Sequence, residues 1–205
     1  MNIAIIGTGN IGTALGTSWV KAGHNINLGV RDPENFKGKE MQQLGNVKAM
    51  PIADAVKASD VILIAAVPQA TADIVKSMGD VTGKVIIDAM NSVRVKPEGY
   101  NNTFEALTDL AKGAEIVKCF NSTGFENMAN PVYPNDVHID MYAAGDSVRA
   151  KETAVQLAKD AGFAECYNFG GNDKVALLES FAMAWINLAI MQGQGRGIAF
   201  KIIKR

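Results

Sequence analysis

Gly7-Thr8-Gly9-Asn10-Ile11-Gly12 is a run whose glycines are spaced to hold a pyrophosphate. Gly7 permits a tight turn, Gly9 lets the backbone approach the phosphates, and Gly12 lets a following helix pack close to a sheet. That helix would aim its unpaired N–H groups and its dipole at the anion. The neighbouring residues supply the setting such a loop needs. An apolar strand Ile3 to Ile6 precedes it, an amphipathic helix runs from about Asn10 to Ala22, and a second strand from about Asn25 to Val30. Asn2 to Arg31 therefore reads as a nucleotide-binding βαβ unit.

The far end of the second strand selects the dinucleotide. An acidic residue there normally holds the ribose 2′-hydroxyl of NAD, whereas this chain has Gly29-Val30-Arg31. A glycine leaves room for a 2′-phosphate and the Arg31 guanidinium can pair with it, so NADP(H) is expected over NAD(H). Asp32 leaves a second reading open. If the strand runs one residue further, its carboxylate accepts from the ribose or repels a phosphate.

Reduction of a carbonyl needs a positioned acid or base as well as a hydride. His24 falls in the turn after the first helix and is expected at the surface; His138 opens a late strand; Lys174 reads as a solvated lysine at a helix start. None is a convincing proton donor. Hydride transfer between two stacked rings asks the protein only for orientation and exclusion of water, which suits this residue set better. Asn91 and Asn121 could fix a carboxamide or ring carbonyls, or could instead cap their own loops. Cys119 and Cys166 fit neither a CxxC pair nor a zinc site, so no metal is expected, and buried thiols in a reducing, cytoplasmic setting are the simplest reading.

These residues must be carried by a sheet. The 205 residues are 48% hydrophobic with a formal charge of −1, which suits one domain and gives no pull toward nucleic acid or an acidic membrane. Beyond the first unit, strands are expected at Val47–Met50, Val61–Ala66, Lys84–Ala89 and Glu115–Cys119, with helices at Phe36–Leu44, Ile52–Ala58, Thr71–Met78 and Phe104–Lys112. Val61 to Ala66 is apolar throughout, as in a strand buried on both faces of a parallel sheet. Asn121–Asp136 reads as a long irregular loop, His138–Ala144 as a strand, Ser147 or Asp146 as the cap of a helix to Ala161, and Glu165–Phe169 as the last strand. The expected fold is an α/β, Rossmann-like, doubly wound and mostly parallel sheet forming a single domain over residues 1–205.

Residues 172–205 form a C-terminal helical extension, packed on this domain or on a partner subunit. Its apolar stripe Val175, Leu178, Ala182, Trp185 and Ala189 is broad enough to demand burial, and a homodimer is expected. Glu179, Ser180 and Asn187 interrupt Val175–Met191, which falls short of a membrane span, and Ile198–Ile203 should close the chain with a short turn. The N-terminus enters the first strand directly, without the pattern of a signal peptide.

The glycine loop, Gly29-Val30-Arg31, Val67-Pro68, Lys118 to Asn121, Glu126 to Pro131, and the terminal Trp185…Gly195-Arg196…Ala199-Phe200-Lys201 pattern together resemble the NADPH-dependent coenzyme F420 reductase family. The likeness extends to the cytoplasmic NADPH-binding domain of the STEAP metalloreductases. The resemblance implies a two-electron reductase in which a deazaflavin (F420) or a flavin such as FMN or FAD stacks on the nicotinamide of NADPH. It further implies that Thr8, Asn10, Ile11 and Arg31 contact the dinucleotide, that Val67 and Pro68 line its cleft, and that Asn91, Asn121 and Ser122 lie near the two rings. Val30 replaces the small polar residue the family often carries before the arginine, which weakens the preference for NADPH. The alternatives are a flavin-mediated ferric or cupric reductase, a small-substrate imine reductase, and a non-catalytic NADP(H)-binding redox sensor.

Overall fold

Ile3 and Ile5 point to one face of a sheet while Ala4 and Ile6 point to the other, and all four are buried. Such two-sided burial is the reason the strand is apolar throughout rather than alternating. The computed structural model describes residues 1–205. β1 (Asn2–Ile6), α1 (Asn10–Lys21) and β2 (Asn25–Val30) form the expected unit, followed by β3 (Val47–Pro51), α2 (Ile52–Lys57), β4 (Val61–Ile64), α3 (Thr71–Met78), β5 (Val85–Asp88), α4 (Thr103–Leu110) and β6 (Glu115–Lys118). Their spatial order is β3-β2-β1-β4-β5-β6, all parallel, so the strand order reverses between β1 and β4. Ligands of open α/β sheets bind at the carboxyl edge beside such a reversal.

Beyond β6 the chain departs from the expected plan in instructive ways. Asn121–Asp136 is not a plain loop: it holds α5 (Phe125–Ala129) and starts a small hairpin of β7 (Val132–Tyr133) and β8 (Val137–His138). The expected strand His138–Ala144 is broken, because the Asp140 carboxylate turns aside to accept from Ile202 N–H, and only β9 (Met141–Ala144) joins the main sheet. β9 runs antiparallel to β6 and is followed by α6 (Val148–Asp160), capped by Ser147, and by the parallel β10 (Cys166–Gly170). The helix expected from Phe36 shrinks to a 3-10 turn at Lys39–Leu44, since Gly38 in front of it sits at φ 85°, outside any helix. The chain end, expected as a turn at Ile198–Ile203, instead lies without regular structure and is tied down by hydrogen bonds to neighbouring elements.

α7 (Val175–Ile186) continues through a π turn at Asn187–Met191, and with a preceding 3-10 turn makes one helical run of 20 residues, Asn172–Met191. By length and composition that run could cross a membrane, contrary to the sequence count, but Val175, Leu178, Ala182, Trp185 and Ala189 are buried in this domain. The first alternative for this segment, packing on its own sheet, thus holds for the inner face.

Trp19 on α1 is fully buried, donates Nε1–H to Leu157 O of α6 at 2.8 Å, and meets the Phe120 ring edge-on with centroids 5.6 Å apart. His24, expected at the surface, is buried between Asp160 Oδ2 (2.9 Å) and the Met1 amino group (3.1 Å), because the turn after α1 is pressed against the end of α6. Trp19→Phe keeps most of the packing and removes one of the two bonds to the Leu157 carbonyl, which still accepts from Ala161 N–H at 3.1 Å, a loss of about 0.5–1.5 kcal/mol. In a domain of this size that corresponds to a melting temperature lower by roughly 1–6 °C. Calorimetry checks it, and an unchanged melting point would show that the bond adds nothing.

Candidate functional site

The carboxyl edge of β1, β2 and β4 carries two adjoining clefts of about 760 and 830 Å³. Val67 and Lys37 line both, so the two form one groove. In the first, Gly7, Thr8, Arg31 and Asn35 meet the apolar Ile52 and Ile74; the second begins at Asn10 and Ile11 and extends past Pro68 to Asn91, Asn121 and Trp185.

The glycine loop fits a dinucleotide. Gly7 has φ 100°, and a Cβ on it would lie 2.3 Å from Ala65 O; one on Gly12 would lie 2.1 Å from Gly7 O. A Cβ on Gly9 would meet nothing within 4 Å, so this backbone faces open space at the α1 N-terminus, where no side chain caps the helix. The free N–H groups of that first turn are what a pyrophosphate would occupy. Gly29 lines the first cleft beside Arg31, and a Cβ there would press on Ile6, Ala55 and Ile52 at 3.3–3.4 Å, so this glycine also admits α2 to the sheet.

β2 ends at Val30, as first read, and the Asp32 carboxylate is engaged by Glu34 N–H at 2.9 Å, capping the turn. Arg31 lines the first cleft with no carboxylate partner. Lys37, which the sequence reading passed over, adds a second cation at the junction of the clefts; its spacing six residues after Arg31, past a turn, was the available signal.

On the other side of the groove Asn91 and Asn121 hold each other. Asn91 Nδ2 donates to the Asn121 backbone carbonyl at 2.8 Å, and Asn121 Nδ2 donates to Asn91 Oδ1 at 3.0 Å. The backbone carbonyl can only accept, which fixes both amides and leaves buried Asn121 Oδ1 without a partner. Phe120 just before it has φ 59°, a strained value for a bulky residue, and the turn it makes swings Asn121 to the cleft. Ser122 does not join the cleft. It is buried with its hydroxyl 3.5 Å from the Met141 sulfur, because the chain has already turned inward there.

Beneath the cleft lies a cluster that the sequence reading missed. Lys118 is wholly buried and spends its three donors on Glu179 Oε1 (2.6 Å), Asp88 Oδ2 (3.0 Å) and Thr103 Oγ1 (3.3 Å). Glu179 also accepts from Ser92 N–H at 3.4 Å, and Ser92 Oγ accepts from Thr103 N–H at 3.1 Å. The cluster thereby ties α7 and α4 to the loop bearing Asn91. None of its charged members lines the groove. His138 is held in the β7–β8 hairpin by Gly162 O and Asp136, the Gly162 carbonyl being the larger cause of its raised pKa, and it too lies away from the groove. Lys174 is exposed beside Asp173, as expected. Cys119 and Cys166 are buried with sulfurs 4.0 Å apart, and burial pushes the Cys119 thiol up.

Residues 2–92 match the family described as NADP oxidoreductase, coenzyme F420-dependent. The whole chain is similar in fold to a protein from Arthrobacter sp. FB24 that carries the provisional description F420-dependent NADP reductase, with a TM-score of 0.87 at 20% identity over 100% of both chains. It is also similar to a hypothetical protein from Sinorhizobium meliloti, with a TM-score of 0.69 at 24% identity over 100% of this chain and 96% of that one. A reductive aminase from Aspergillus terreus, solved with NADPH and ethyl levulinate, aligns at TM-score 0.69 and 18% identity over 94% of this chain, which spans 62% of its length.

Two outcomes follow from this geometry. Removing Arg31 (Arg31→Ala) should cost roughly 1.5–3 kcal/mol, or about 10- to 100-fold in NADPH affinity, and leave NADH little changed. Titration of both dinucleotides tests this, and equal losses for the two would remove Arg31 from the 2′-phosphate. Lys118→Met should cost about 3–5 kcal/mol by stranding buried Asp88. Denaturant unfolding measures it, and wild-type stability would mean that the cluster is not held by its charges.

Proposed function

We propose that this protein, whose residues 2–92 match the NADP oxidoreductase family termed coenzyme F420-dependent, is an NADP(H)-dependent oxidoreductase with a deazaflavin or a flavin as its hydride acceptor. The observation that carries this reading is the lining of the second cleft. It joins the dinucleotide groove directly, has apolar walls from Val93, Phe125, Trp185 and Ile190, and contains no His, Tyr, Asp, Glu or Cys, its one lysine, Lys37, standing at the junction of the two clefts rather than beside Asn91 and Asn121. Carbonyl reduction would call for such a proton donor; transfer between planar rings does not.

Reduced NADP supplies the hydride when bound. The chain's own contribution is binding through the glycine loop, Thr8, Asn10, Ile11, Arg31 and Lys37, and orientation by the Asn91–Asn121 pair. The apolar wall of α7 excludes water from the junction. Asn91 and Asn121 are therefore the groups we assign to the reacting edge, with Val67 and Pro68 as its floor. Ser122, turned toward Met141, is not among them.

A homodimer belongs to the same reading. Only five residues of the long C-terminal helical run are buried, and Leu177, Leu188 and Met191 remain exposed along it, an apolar surface suited to a second copy. The buried, unpaired Cys119 and Cys166 suit a reducing, cytoplasmic setting. Sedimentation at micromolar concentration should give about twice the chain mass, and a clean monomer would count against the dimer.

The reaction is tested by a stopped-flow panel of F420, FMN, FAD, riboflavin, a chelated ferric salt and representative ketones, aldehydes and imines. NADPH oxidation should be fast with the deazaflavin or flavin rings and slow with the carbonyls. Asn121→Leu should lower turnover by about 10-fold or more, an effect on the scale of a lost hydrogen bond to the reacting complex, with NADPH affinity nearly unchanged. Rapid reduction of a carbonyl or imine without any flavin would overturn this mechanism. Tight NADPH binding with no acceptor at all would make the protein a sensor.

A further inference from the structure

The second cleft is one-sided in charge. Its lining includes Lys37, Arg94 and Arg196 and no carboxylate, although the whole chain has 20 basic against 21 acidic residues. Lys37 lines both clefts, at the junction with the dinucleotide groove. Arg94 and Arg196 line the second cleft alone, together with Asn91, Asn121 and Trp185 and away from the Arg31 end of the groove.

The two arginines are free to receive an anion to different degrees. Arg94 is exposed on the loop after Asn91 and makes no hydrogen bond or ion pair. Arg196 gives Nε–H and one Nη2–H to the Glu126 carboxylate at 2.5 and 3.1 Å, and those bonds hold Glu126 below the usual carboxylate range. A guanidinium has five N–H donors, so three remain. Its carbon lies 5.4 Å from the Phe125 ring centre and 5.6 Å from that of Trp185, both of which line the cleft. Glu126 and the two rings keep the guanidinium at the rim instead of letting it wander into solvent. The cleft thus offers aromatic and aliphatic walls to a flat ring and a cationic rim to whatever that ring carries.

We infer that Arg94, backed by Arg196, selects an acceptor ring that bears an anionic side chain over the same ring with a neutral one. This rests on the reading of the second cleft as a ring-acceptor site. Planar forks of N–H donors match phosphate and carboxylate groups in pairs of parallel hydrogen bonds, which a small neutral carbonyl compound cannot use.

FMN and riboflavin share a ring and differ by one phosphate. Each is titrated into the full-length protein saturated with NADP⁺, so that the dinucleotide groove is closed to them, with flavin fluorescence as the readout; the same protein is then assayed for NADPH oxidation with each. F420 and its deazaflavin lacking the phosphodiester tail serve as a second matched pair. FMN should bind about 10-fold or more tightly than riboflavin, and the ratio should shrink as salt is raised. Arg94→Gln should bring the ratio toward one, and Arg94→Lys should restore part of it. Retained NADP⁺ affinity shows that both variants are folded. Equal affinities within each pair, with the rings still reduced, would overturn this inference and leave the acceptor reading standing. Failure of all four rings to bind and to be reduced would overturn both.

Discussion

An ammonium group with no access to water, at the end of β6, constrains the architecture of this protein more than any other single feature. Lys118 cannot remain charged there without partners, and the sheet alone offers only Asp88 from the adjacent strand. The second carboxylate, Glu179, must come from α7, and the hydroxyl from the first residue of α4. One buried charge thus fixes where two helices dock. Because Glu179 also receives the Ser92 N–H, the same group sets the loop that carries Asn91 and Arg94. Replacing such a cluster with apolar side chains can leave a protein just as stable, so its role here is better understood as register than as net stabilisation.

The groove inherits its shape from that register. Two turns beyond Glu179 the helix widens into a π turn, with Gln192 N–H reaching Asn187 O at 2.8 Å, and Trp185, Ile186 and Ile190 around it form one wall. The wall is locked from outside by the chain end: Trp185 Nε1–H donates to Ile198 O at 2.6 Å, and Asn127 Nδ2 donates to the carbonyls of both Arg196 and Ile198. Opposite, the strained Phe120 turn presents Asn121. π turns and strained residues are both costly and both concentrate at functional sites. Their meeting on two sides of one cleft is consistent with a site shaped for a particular ligand.

Local pattern carried much of this into the sequence. β1, α1 and β2 were legible because their signals lie within 30 residues: a two-sided apolar strand, glycines at fixed offsets, and a helical period. The parallel sheet was legible for the same reason, as strands and helices of matched length alternate as far as Lys118. So was the Ser147 cap, whose hydroxyl accepts from Ala150 N–H. Arg31 as a cation at the tip of β2 needed only the strand end to be placed.

What the sequence could not decide were the partnerships between distant residues. Lys118 and Glu179 are 61 residues apart, and read singly they are a charge at a strand end and an interruption in an apolar helix. Nothing local announces that they neutralise each other. His24 looked solvated because it falls in the turn after the first helix, yet Asp160, 136 residues away, covers it. The irregular stretch after Asn121 hides α5 and the hairpin because each is too short to show a period, and contacts with the chain end, such as Asn127 with Ile198, hold them in place. Even the direction of Ser122, one residue from a cleft asparagine, depended on the φ of Phe120. Periodicity and turn chemistry are written in neighbouring residues, whereas pairing of buried charges and the facing of a side chain arise only when the folded chain brings separate elements together.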